Sequence, residues 1–434
     1  DINYLLNFEK KYKINLWVIA YSERYFSNYN YYHKFSRKEI LSLLEQECKF
    51  FEKVLDTSNP DFIIIPEYVF HHAWLFYEIC KAKGIKILML IPGKFQKRWA
   101  FKEINFEKKK NPELLDESTL SIIDLKKFLF DNSQFPVVEK YANTNNPIKM
   151  IFNLKSLRNI FLYFFTKDEN LNRFVEIGRT KPKIIKKMIP LLIKTQIRER
   201  FLNKNSCKVL DKNEKFLYFP LSIEPERNLE VLTPFFPDQF ELISKIAKSL
   251  PVDYNLYVKE HPVSKTRYWR PIKFYKSLIE LPNVRLIHPS VKSEEIISKC
   301  SLVTTYAGTS GIEATFYEKP VIVFGNSTYH NDFSSVCKIQ DIDELPKIIR
   351  KQLKIKPTIE ELNNFVKKIK NNFFQYDPNV LLDSHPLDGH LFSNKEISIQ
   401  KMEFFLQKHK EIFQNLVNEL IAKIDQHEKV DFVK

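Results

Sequence analysis

The sequence predicts an α/β fold with two Rossmann-like domains that face a central cleft, together with extra helices between and after them. Two observations predict this fold. Short apolar runs alternate with helical patterns in both halves of the chain, as expected for parallel strands joined by crossover helices. Several runs end in small, polar or charged residues, which is typical of the carboxyl edge of a parallel sheet, where ligands bind. With 434 residues, the chain is long enough for two or three domains.

The amino-terminal region shows this alternation first. Apolar runs predict strands at Ile14–Ala20, Asp61–Ile65 and Ile85–Ile91, and helical spacing predicts helices at Arg37–Leu55 and His72–Lys83. From about residue 101 to residue 146 the sequence becomes charged and rich in Asn. That composition predicts helices joined by an exposed insertion.

Residues 150–210 form a strongly basic segment with a helical pattern. Between Lys181 and Lys204 there are eight Lys or Arg residues and one acidic residue, Glu199. Apolar residues are interleaved with them at Ile184, Ile185, Met188, Leu191, Leu192 and Ile197. Two interpretations stay open: the segment lies on an anionic lipid surface, or it is a bridging helix whose basic face is merely solvated.

A second series of strands and helices begins near Lys215. Strands are predicted at Phe216–Pro220, Leu256–Lys259, Val284–Ile287, Leu302–Thr305 and Val321–Phe324, and helices at Asp238–Leu250, Arg270–Glu280, Ser293–Cys300 and Ser310–Glu318. Helices dominate after Asp341, and Met402–Ile424 has a clear amphipathic pattern. The predicted domains are an amino-terminal α/β domain over 1–210, which includes the basic segment, a Rossmann-like domain over 211–395 and a helix over 396–434 that packs back across both.

Charge and cysteine content restrict the partners and the compartment. Lys and Arg number 68 against 53 Asp and Glu, for a net charge of +15, which favours an anionic partner such as a phosphorylated substrate or an acidic membrane. Nucleic acid is not expected, because no Arg-rich or aromatic-interleaved pattern occurs. Five scattered cysteines predict neither a disulfide framework nor a zinc site. Without a long apolar span or a signal peptide, we expect a cytoplasmic protein, and peripheral contact with the inner face of the membrane stays open.

The turn Gly308–Gly311 is the first candidate ligand site. It follows a predicted strand that ends at Thr305 and opens a predicted helix, so its backbone N–H groups and the helix dipole can hold a phosphate. We expect Thr305, Gly308, Thr309, Ser310 and Gly311 to contact the ligand, together with Glu313. Ser310 and Glu313 also fit the S-x-x-E capping box, which offers Glu313 a purely structural role.

Two further loops follow strands of the same predicted sheet. Lys259, His261 and Pro262 come at the end of one strand, where the imidazole can donate to a phosphate or act as an acid and the Lys supplies charge. Ser222, Glu224 and Glu226 follow another strand, and their carboxylates can orient a sugar or serve as base or nucleophile. Each loop also has a structural alternative. His261 can cap the strand by bonding to the backbone, and Glu224 and Glu226 can be solvated acids of a Pro-flanked turn.

In the first domain, Glu67 follows a buried strand and is the candidate base for an acceptor hydroxyl. His71 and His72 come soon after it, and we expect structural roles for them. Adjacent residues on a helix point in different directions, so the two imidazoles do not predict a shared metal. No metal and no cofactor is predicted anywhere in the chain.

The ordered motifs of the second domain resemble the capsule polysaccharide biosynthesis family. The residues that carry the resemblance are Tyr218–Leu221, Glu224–Glu226, Asp238–Gln239, Leu256–Pro262, Gly308–Ala314 and Lys319–Gly325. Well-understood relatives in that family are Kdo transferases with two Rossmann-like domains, the GT-B fold, which use CMP-activated Kdo. The resemblance covers about residues 215–330.

The resemblance implies a glycosyltransferase that moves a sugar, Kdo or another acidic sugar, from a CMP-activated donor to a surface polysaccharide or glycolipid acceptor. It implies that His261 and Pro262 bind the donor phosphate and that Gly308–Glu313 form the nucleotide-binding loop. In similar bacterial sialyltransferases an acidic motif of the first domain supplies the base; this sequence shows no clear motif of that kind, and Glu67 is the candidate.

Three rivals remain at this point. A CDP-glycerol or ribitol-phosphate transferase of the teichoic-acid type also uses a GT-B fold and histidines. A UDP-sugar 2-epimerase is a weaker rival. A non-catalytic, basic module that binds membrane or nucleic acid belongs to another class and would need no intact His261 or Glu67.

Overall fold

The structure is a computed structural model of the whole chain. It describes residues 1–27, 32–93, 98–106, 119–132, 180–211, 213–224, 238–262, 270–326, 329–382 and 397–431, together with Phe165, Gly178 and Thr233. Of the predicted site residues, Glu226 lies outside the described residues.

Helices and strands alternate along most of the described chain. The helices are α1 Ile2–Tyr12, α2 Leu16–Tyr21, α3 Arg24–Ser27, α4 Arg37–Ser58, α5 His71–Ala82, α6 Ile122–Asn132, α7 Lys181–Asn205, α8 Gln239–Ser249, α9 Ile272–Ile279, α10 Ser293–Lys299, α11 Thr309–Phe316, α12 Leu345–Gln352, α13 Ile359–Asn372, α14 Ile399–Lys408 and α15 Lys410–Asp431. The strands are β1 Phe62–Pro66, β2 Lys86–Pro92, β3 Arg98–Ile104, β4 Lys215–Pro220, β5 Tyr254–Lys259, β6 Val284–Ile287, β7 Leu302–Thr305, β8 Val321–Val323, β9 Val336–Lys338 and β10 Phe374–Gln375. Short 3-10 turns occur at Ile342–Glu344 and Pro378–Leu382.

Six strands form a parallel sheet in the order β6-β5-β4-β7-β8-β9. Counted along the sheet's own strands, this order is 3-2-1-4-5-6, the doubly wound arrangement of Rossmann folds. The chain first extends the sheet on one side of β4 and then on the other. The order therefore reverses between β4 and β7, where Tyr218 faces Val303, and a ligand crevice is expected at the carboxyl ends of these two strands.

Both faces of this sheet are apolar, which explains why helices cover both. Residues along a strand alternate between faces. On one face Leu217, Phe219 and Val258 join a buried cluster with residues of α8, α9 and α12. On the other face Phe216 stacks on Tyr257 with ring centroids 3.9 Å apart, and α11 contacts β7 and β8.

A second sheet has four strands in the order β1-β2-β3-β10. Strands β1 and β2 are parallel, whereas β3 pairs antiparallel with both β2 and β10. Aromatic rings support the β3–β10 pair, because Phe101 stacks on Phe374 at 5.8 Å and Trp99 packs edge-on against Tyr376 at 5.7 Å. This sheet is mixed rather than mostly parallel.

The α/β class, the five predicted strands of the second series and its four predicted helices are confirmed, with bounds that shift by at most a few residues. The strand predicted at Ile14–Ala20 is wrong, because these residues enter helix α2. Asn15 caps α2 by accepting a hydrogen bond from the backbone N–H of Val18 at 3.1 Å, which the apolar run hides. Strands β3, β9 and β10 were not predicted. Of the basic segment 150–210, the described residues lie mostly in α7, which is helical as predicted.

The chain divides into two compact units. One contains Asp1–Val54, Val69–Phe76 and Gln134–Leu362, with the six-stranded sheet; the other contains Leu55–Tyr68, Tyr77–Ser133 and Asn363–Lys434, with the four-stranded sheet. Each unit is therefore assembled from separate stretches of sequence. The predicted domain boundaries at 210 and 395 stay a prediction. Among the helices that the structure describes, none combines the length and the apolar character that crossing a bilayer requires.

Candidate functional site

The carboxyl ends of β5, β4 and β7 bring most of the predicted site residues to one edge of the six-stranded sheet. Strand β4 lies between the other two, and Pro220 at its end is level with Lys259 at the end of β5. The loops that leave these strands carry Ser222 and Glu224, then His261, then Gly308–Ser310. The six-stranded sheet therefore collects three loops that are far apart in the sequence at its switch point.

The Gly308 turn is held tightly against the sheet. Gly308 is the N-cap of α11, and Tyr329 donates a hydrogen bond from its hydroxyl to the Gly308 carbonyl at 2.8 Å. A Cβ on Gly308 would lie 3.1 Å from Thr305 Oγ1, and a Cβ on Gly311 would overlap the Tyr329 hydroxyl. A side chain at Gly311 therefore requires Tyr329 to move, whereas one at Gly308 requires only a small shift of the Thr305 hydroxyl. The first N–H groups of α11 have no carbonyl partner in the preceding turn of helix, so an anion can bind there.

The predicted capping box is absent from this turn. Helix α11 begins at Thr309 rather than after Ser310, and its N-cap, Gly308, has no side chain to cap with. The carboxyl group of Glu313 instead accepts a hydrogen bond from the Thr309 side chain. Thr309 and Ser310 are both half-exposed at the start of the helix. These two hydroxyl groups are the side chains of the turn that a ligand reaches most directly.

Lys259 and Glu313 are buried beneath the turn. Lys259 is 3% exposed and donates from Nζ to Ser293 Oγ, at the start of α10, at 2.8 Å. Burial lowers the pKa of Lys259 to about 7, and the nearby Glu313 carboxylate opposes this shift only in part. Burial also raises the pKa of Glu313 to about 7 against the effects of Thr309 and Lys259. Both groups can thus gain or lose a proton near neutral pH.

His261 lies just beyond β5 and is largely buried. Burial is the main reason that its pKa falls to about 4, and the charges of Lys259 and Arg270 lower it further while Glu260 opposes them. At neutral pH the imidazole is therefore uncharged, so it can donate one hydrogen bond without adding a charge. The His261 backbone N–H donates to Glu260 Oε1 at 2.6 Å, which ties the end of β5 to the cluster described next.

Glu260, Arg270 and Tyr275 form a fully buried cluster that the sequence did not reveal. Arg270 Nη1 lies 2.7 and 2.8 Å from the two oxygens of Glu260, and the Tyr275 hydroxyl donates to Glu260 Oε2 at 2.5 Å. Arg270 also donates from Nη2 to the Ser222 carbonyl. The guanidinium therefore joins the loop after β4 to the end of β5. A charged residue directly after a strand, Glu260, was the available signal.

Gln239 holds the loop after β4 from the other side. Its side-chain oxygen accepts from the Ser222 N–H at 2.8 Å, and its amide nitrogen donates to the Ser222 carbonyl at 3.1 Å and to Glu224 Oε1. Glu224 lies 3.6 Å from Arg270 Nη2. Burial raises the pKa of Glu224, although the Arg270 charge opposes this shift. Glu224 is thus held in one position by an amide and a guanidinium.

Tyr306, directly after β7, brings an additional hydroxyl to this edge. The residue is fully buried, and its hydroxyl has no hydrogen-bond partner among the described residues. Its pKa is raised, first by burial and next by the neighbouring charge of Glu224. A buried hydroxyl without a partner is costly, so this atom marks a position where a ligand or a water molecule can supply the missing bond.

The candidate residues of the amino-terminal region separate into two groups. Glu67 follows β1 in the unit with the four-stranded sheet, where its backbone N–H donates to the Leu90 carbonyl at 2.9 Å and its side chain is half-exposed. His71 belongs to the other unit and is 2% exposed, with Nδ1 2.7 Å from Glu23 and Nε2 3.0 Å from Glu47. Burial lowers the pKa of His71, but the two carboxylates outweigh it and raise the pKa to about 9.

His71 therefore has the structural role that the sequence predicts, as a cation between two carboxylates. The described part of the chain contains no group of three or more His, Cys, Asp or Glu residues that could hold a metal ion. The role of Glu67 as a base stays a prediction.

The edge of the six-stranded sheet has the parts that bind a phosphorylated ligand. It combines a helix amino terminus, an uncharged imidazole, two hydroxyl groups and a carboxylate that is locked in place. In such a site the phosphate accepts from N–H and O–H groups, and the fixed carboxylate orients the hydroxyl groups of a sugar. This combination suits a donor that links a phosphate to a sugar.

Comparison with known proteins agrees with the motifs. Residues 172–333 match the model of the family described as capsule polysaccharide biosynthesis protein, which confirms the resemblance inferred from the sequence. No match was found among curated proteins. The matched residues run from just before α7 through β8, so the match covers five of the six strands of the parallel sheet and the helices between them.

Solved structures match this chain at low sequence identity and with low TM-scores. The KpsC beta Kdo 2,7 transferase of Thermosulfurimonas dismutans is 13% identical over 92% of this chain and 98% of its own, with a TM-score of 0.34. HepE of Anabaena, solved with UDP-glucose, is 14% identical over 36% of this chain, with a TM-score of 0.27; the match spans 44% of HepE, less than half of its length. The UDP-GlcNAc 2-epimerase of Methanocaldococcus jannaschii is 13% identical over 78% of this chain and 84% of its own, with a TM-score of 0.26.

Proposed function

We propose that the protein is a nucleotide-sugar-dependent glycosyltransferase of capsule biosynthesis, which transfers Kdo or another acidic sugar from a CMP-activated donor to a surface polysaccharide or glycolipid. The observation that carries the proposal is the arrangement at the switch point of the six-stranded sheet. His261 and the Gly308–Ser310 turn follow β5 and β7, on either side of β4. The match of residues 172–333 to the capsule polysaccharide family supports it.

In the proposed reaction the donor phosphate binds at the amino terminus of α11. The backbone N–H groups of the turn, the hydroxyls of Thr309 and Ser310 and the uncharged imidazole of His261 donate to its oxygens. An acceptor hydroxyl oxygen attacks the anomeric carbon, a new C–O bond forms, and the bond from that carbon to the phosphate oxygen breaks so that CMP leaves. The hydroxyl proton goes to a base, for which Glu67 is our candidate.

Lys259 and Glu313 assist without touching solvent. A phosphate above the turn adds negative charge close to Lys259, which favours the protonated ammonium group. Glu224 and Ser222 orient the sugar, because Gln239 and Arg270 fix both residues. Since neutral donors and a buried Lys offset the phosphate charge, the proposal requires no metal ion and no cofactor.

Nucleotide binding provides the first test. CMP at about 100 times its dissociation constant should stabilise the protein by about 2.7 kcal/mol, which raises Tm by about 3 °C for a chain of this size. CDP, UDP and GDP should give smaller shifts, and His261→Ala should abolish the CMP shift. Release of CMP from CMP-Kdo in the presence of an acceptor glycan should then be lost in His261→Ala and Glu67→Ala.

The same experiments separate the alternatives. Turnover of CDP-glycerol but not of CMP-sugars would identify a teichoic-acid type transferase instead. If no nucleotide raises Tm and both Ala variants leave glycan display unchanged, the protein is a non-catalytic binding module. Both outcomes would contradict the proposed reaction.

A glycolipid or surface acceptor places the reaction near a membrane. The proposal therefore includes a cytoplasmic protein that contacts the inner face of the cytoplasmic membrane peripherally. The net charge of +15 supports this location, because the inner leaflet carries anionic lipids.

A further inference from the structure

Helix α7 presents an apolar stripe to solvent. Ile189, Ile193 and Ile197 are four residues apart, so they lie one above the other on the same side of the helix. Their side chains are 55%, 54% and 47% exposed. The stripe extends over nine residues of helix, and the eight helical steps between its ends correspond to about 12 Å. Only Ile197 of these three belongs to the apolar set that the sequence had singled out.

The opposite side of α7 is the one that packs against the protein. Ile184, Thr195, Arg198 and Leu202 are buried, and Leu202 belongs to the main core of the six-stranded sheet. The orientation of α7 is therefore fixed by burial on one side. The isoleucine stripe faces outward as a consequence, and a rotation that hid it would expose Leu202 and the guanidinium of Arg198.

Cations surround this stripe. The exposed basic residues of α7 are Lys183, Lys186, Lys187, Lys194, Arg200 and Lys204. Lys186 and Arg200 lie seven residues before and after Ile193, which places them on the same side of the helix, above and below the stripe. Glu199, the one acidic residue of α7, is half-buried and lies 3.6 Å from Arg198 Nη2, so it does not neutralise the outward side.

We propose that the outward side of α7, defined by Ile189, Ile193 and Ile197 with the six cations around them, binds the surface of an anionic lipid bilayer. A helix that lies in the bilayer interface needs apolar side chains to enter the acyl boundary and cations to meet anionic headgroups, and α7 offers both. A second copy of the chain fits less well, because it would bring two sets of six cations together. Nucleic acid would use the cations but gives the isoleucines no apolar partner.

This inference rests on the membrane contact of the proposed function and names the residues that make it. Its test needs no donor, acceptor or activity. The full chain is sedimented with vesicles of phosphatidylcholine alone, or of phosphatidylcholine mixed with phosphatidylglycerol. We expect binding to the mixed vesicles only, and release when salt is raised.

Two variants address the two parts of the surface. Lys186→Gln/Arg200→Gln removes two charges, and each Lys or Arg near a bilayer raises the vesicle affinity about fivefold. Binding to the mixed vesicles should therefore weaken about 25-fold. Ile193→Gln keeps the charge and should weaken binding about fivefold, through loss of apolar burial. All substituted side chains are exposed, so the variants should keep the Tm of the wild type.

Matched controls are available elsewhere on the chain. Ile421→Gln changes an isoleucine of α15 that is 50% exposed, and Lys127→Gln/Lys410→Gln removes two exposed charges from other helices. These variants should bind vesicles within about twofold of the wild type, because the proposal assigns the lipid contact to the outward side of α7 and the fivefold factor applies only to charges near the bilayer. If they weaken binding as much as the α7 variants do, the contact depends on total charge and the proposal is wrong.

Three other outcomes would also overturn it. Ile193→Gln could bind the mixed vesicles as tightly as the wild type. The same substitution could convert a dimer into a monomer in analytical ultracentrifugation while vesicle binding stays unchanged, which would assign the stripe to a second copy. RNA could be bound in place of vesicles with the same dependence on Lys186 and Arg200. A wild-type protein that binds the mixed vesicles but does not turn over CMP-sugars would contradict the proposed reaction. It would not contradict the assignment of the lipid-binding surface to α7.

Discussion

Two adjacent residues at the end of β5 illustrate two ways to bury a charge. Glu260 is enclosed by Arg270 and Tyr275, which supply three hydrogen bonds within 2.8 Å. Lys259, on the other side of the sheet, bonds a serine hydroxyl, and its acidic neighbour Glu313 bonds a threonine. Glu260 thus has a cation as its direct partner, whereas burial without direct pairing moves the pKa values of Lys259 and Glu313 to about 7.

The two kinds of burial correspond to two roles, a structural one for Glu260 and Arg270 and a proposed ligand-responsive one for Lys259 and Glu313. The Glu260–Arg270 pair connects β5 with the loop after β4, and every atom of the pair is inaccessible to a ligand. Lys259 and Glu313 can gain or lose protons when the charge above them changes, as it would in the proposed reaction when a phosphate binds. In the proposed donor site, the Glu260–Arg270 pair would keep the loops in place, and Lys259 and Glu313 would adjust their protonation to the charge of the bound donor.

The largest expected effect comes from breaking the paired cluster. Arg270→Met leaves Glu260 buried without its cation, so the free energy of unfolding should fall by about 3 to 5 kcal/mol. Urea denaturation at pH 7 measures it. Arg285→Met is the matched control, because this Arg is 46% exposed and 3.7 Å from Glu214, and surface pairs contribute about 1 kcal/mol or less. Equal losses in the two variants would show that the cluster is not special.

His71 extends the comparison, since it is buried and paired directly like Glu260. Its pKa is raised from 6.5 to about 9, so its stabilising effect is complete below pH 6.5 and is lost as the pH rises through about 9. Between these limits the free energy of unfolding should fall by on the order of 2 to 3 kcal/mol. His71→Gln should remove this slope, whereas His33→Gln, at a surface pair with Glu39, should keep it. A flat profile in the wild type would refute the paired cation.

On the Glu313 side, packing rather than charge holds the turn. Gly311→Ala places a methyl group against the Tyr329 hydroxyl and should cost about 2 kcal/mol in unfolding free energy. Tyr329→Phe alone should cost about 1 kcal/mol, through loss of the bond to the Gly308 carbonyl. The double variant should recover part of the Gly311→Ala loss, because the overlapping oxygen is gone. Strictly additive losses in a double-mutant cycle would contradict this contact.

The smallest effect on stability is expected for Lys259→Met. When the Lys259 cation is removed, Glu313 takes up a proton and becomes neutral. The free energy of unfolding should therefore fall by no more than about 1 kcal/mol at pH 6.5. A carboxyl group with a raised pKa loses stability as the pH rises through that pKa, so the loss should grow above pH 7. The CMP-induced shift in Tm should shrink at the same time. If Lys259→Met lowered the free energy of unfolding as much as Arg270→Met does, the proposed difference between paired and unpaired buried charges would be wrong.

The sequence predicts five strands of the six-stranded sheet because they are short apolar runs flanked by breakers and helices, whereas β9 is only three residues long and was missed. Strand β3 contains three charged residues and pairs with β10, where Phe374 lies 275 positions after its partner Trp99. No local pattern reveals a pairing over such a distance in sequence. Helix α2 was mistaken for a strand because its apolar run outweighs the single capping residue Asn15.

The candidate site divides in the same way. Residues next to a strand end, such as His261 and the Gly308 turn, are visible as motifs. Arg270, Tyr275 and Gln239 lie on or before helices whose patterns show only amphipathic order. Their roles depend on which loop they meet after folding, and that information is absent from any short stretch of sequence.

Cys207, just after α7, has a consequence for how this sheet meets other chains. Its backbone N–H donates to the Leu286 carbonyl at 2.8 Å, and its carbonyl accepts from the His288 N–H at 2.9 Å. The outer side of β6 is therefore capped by one residue of a parallel bridge, and the opposite edge, β9, is three residues long. Open strand edges recruit further strands, so we expect one covered edge and one short edge to disfavour edge-to-edge association between copies of this sheet.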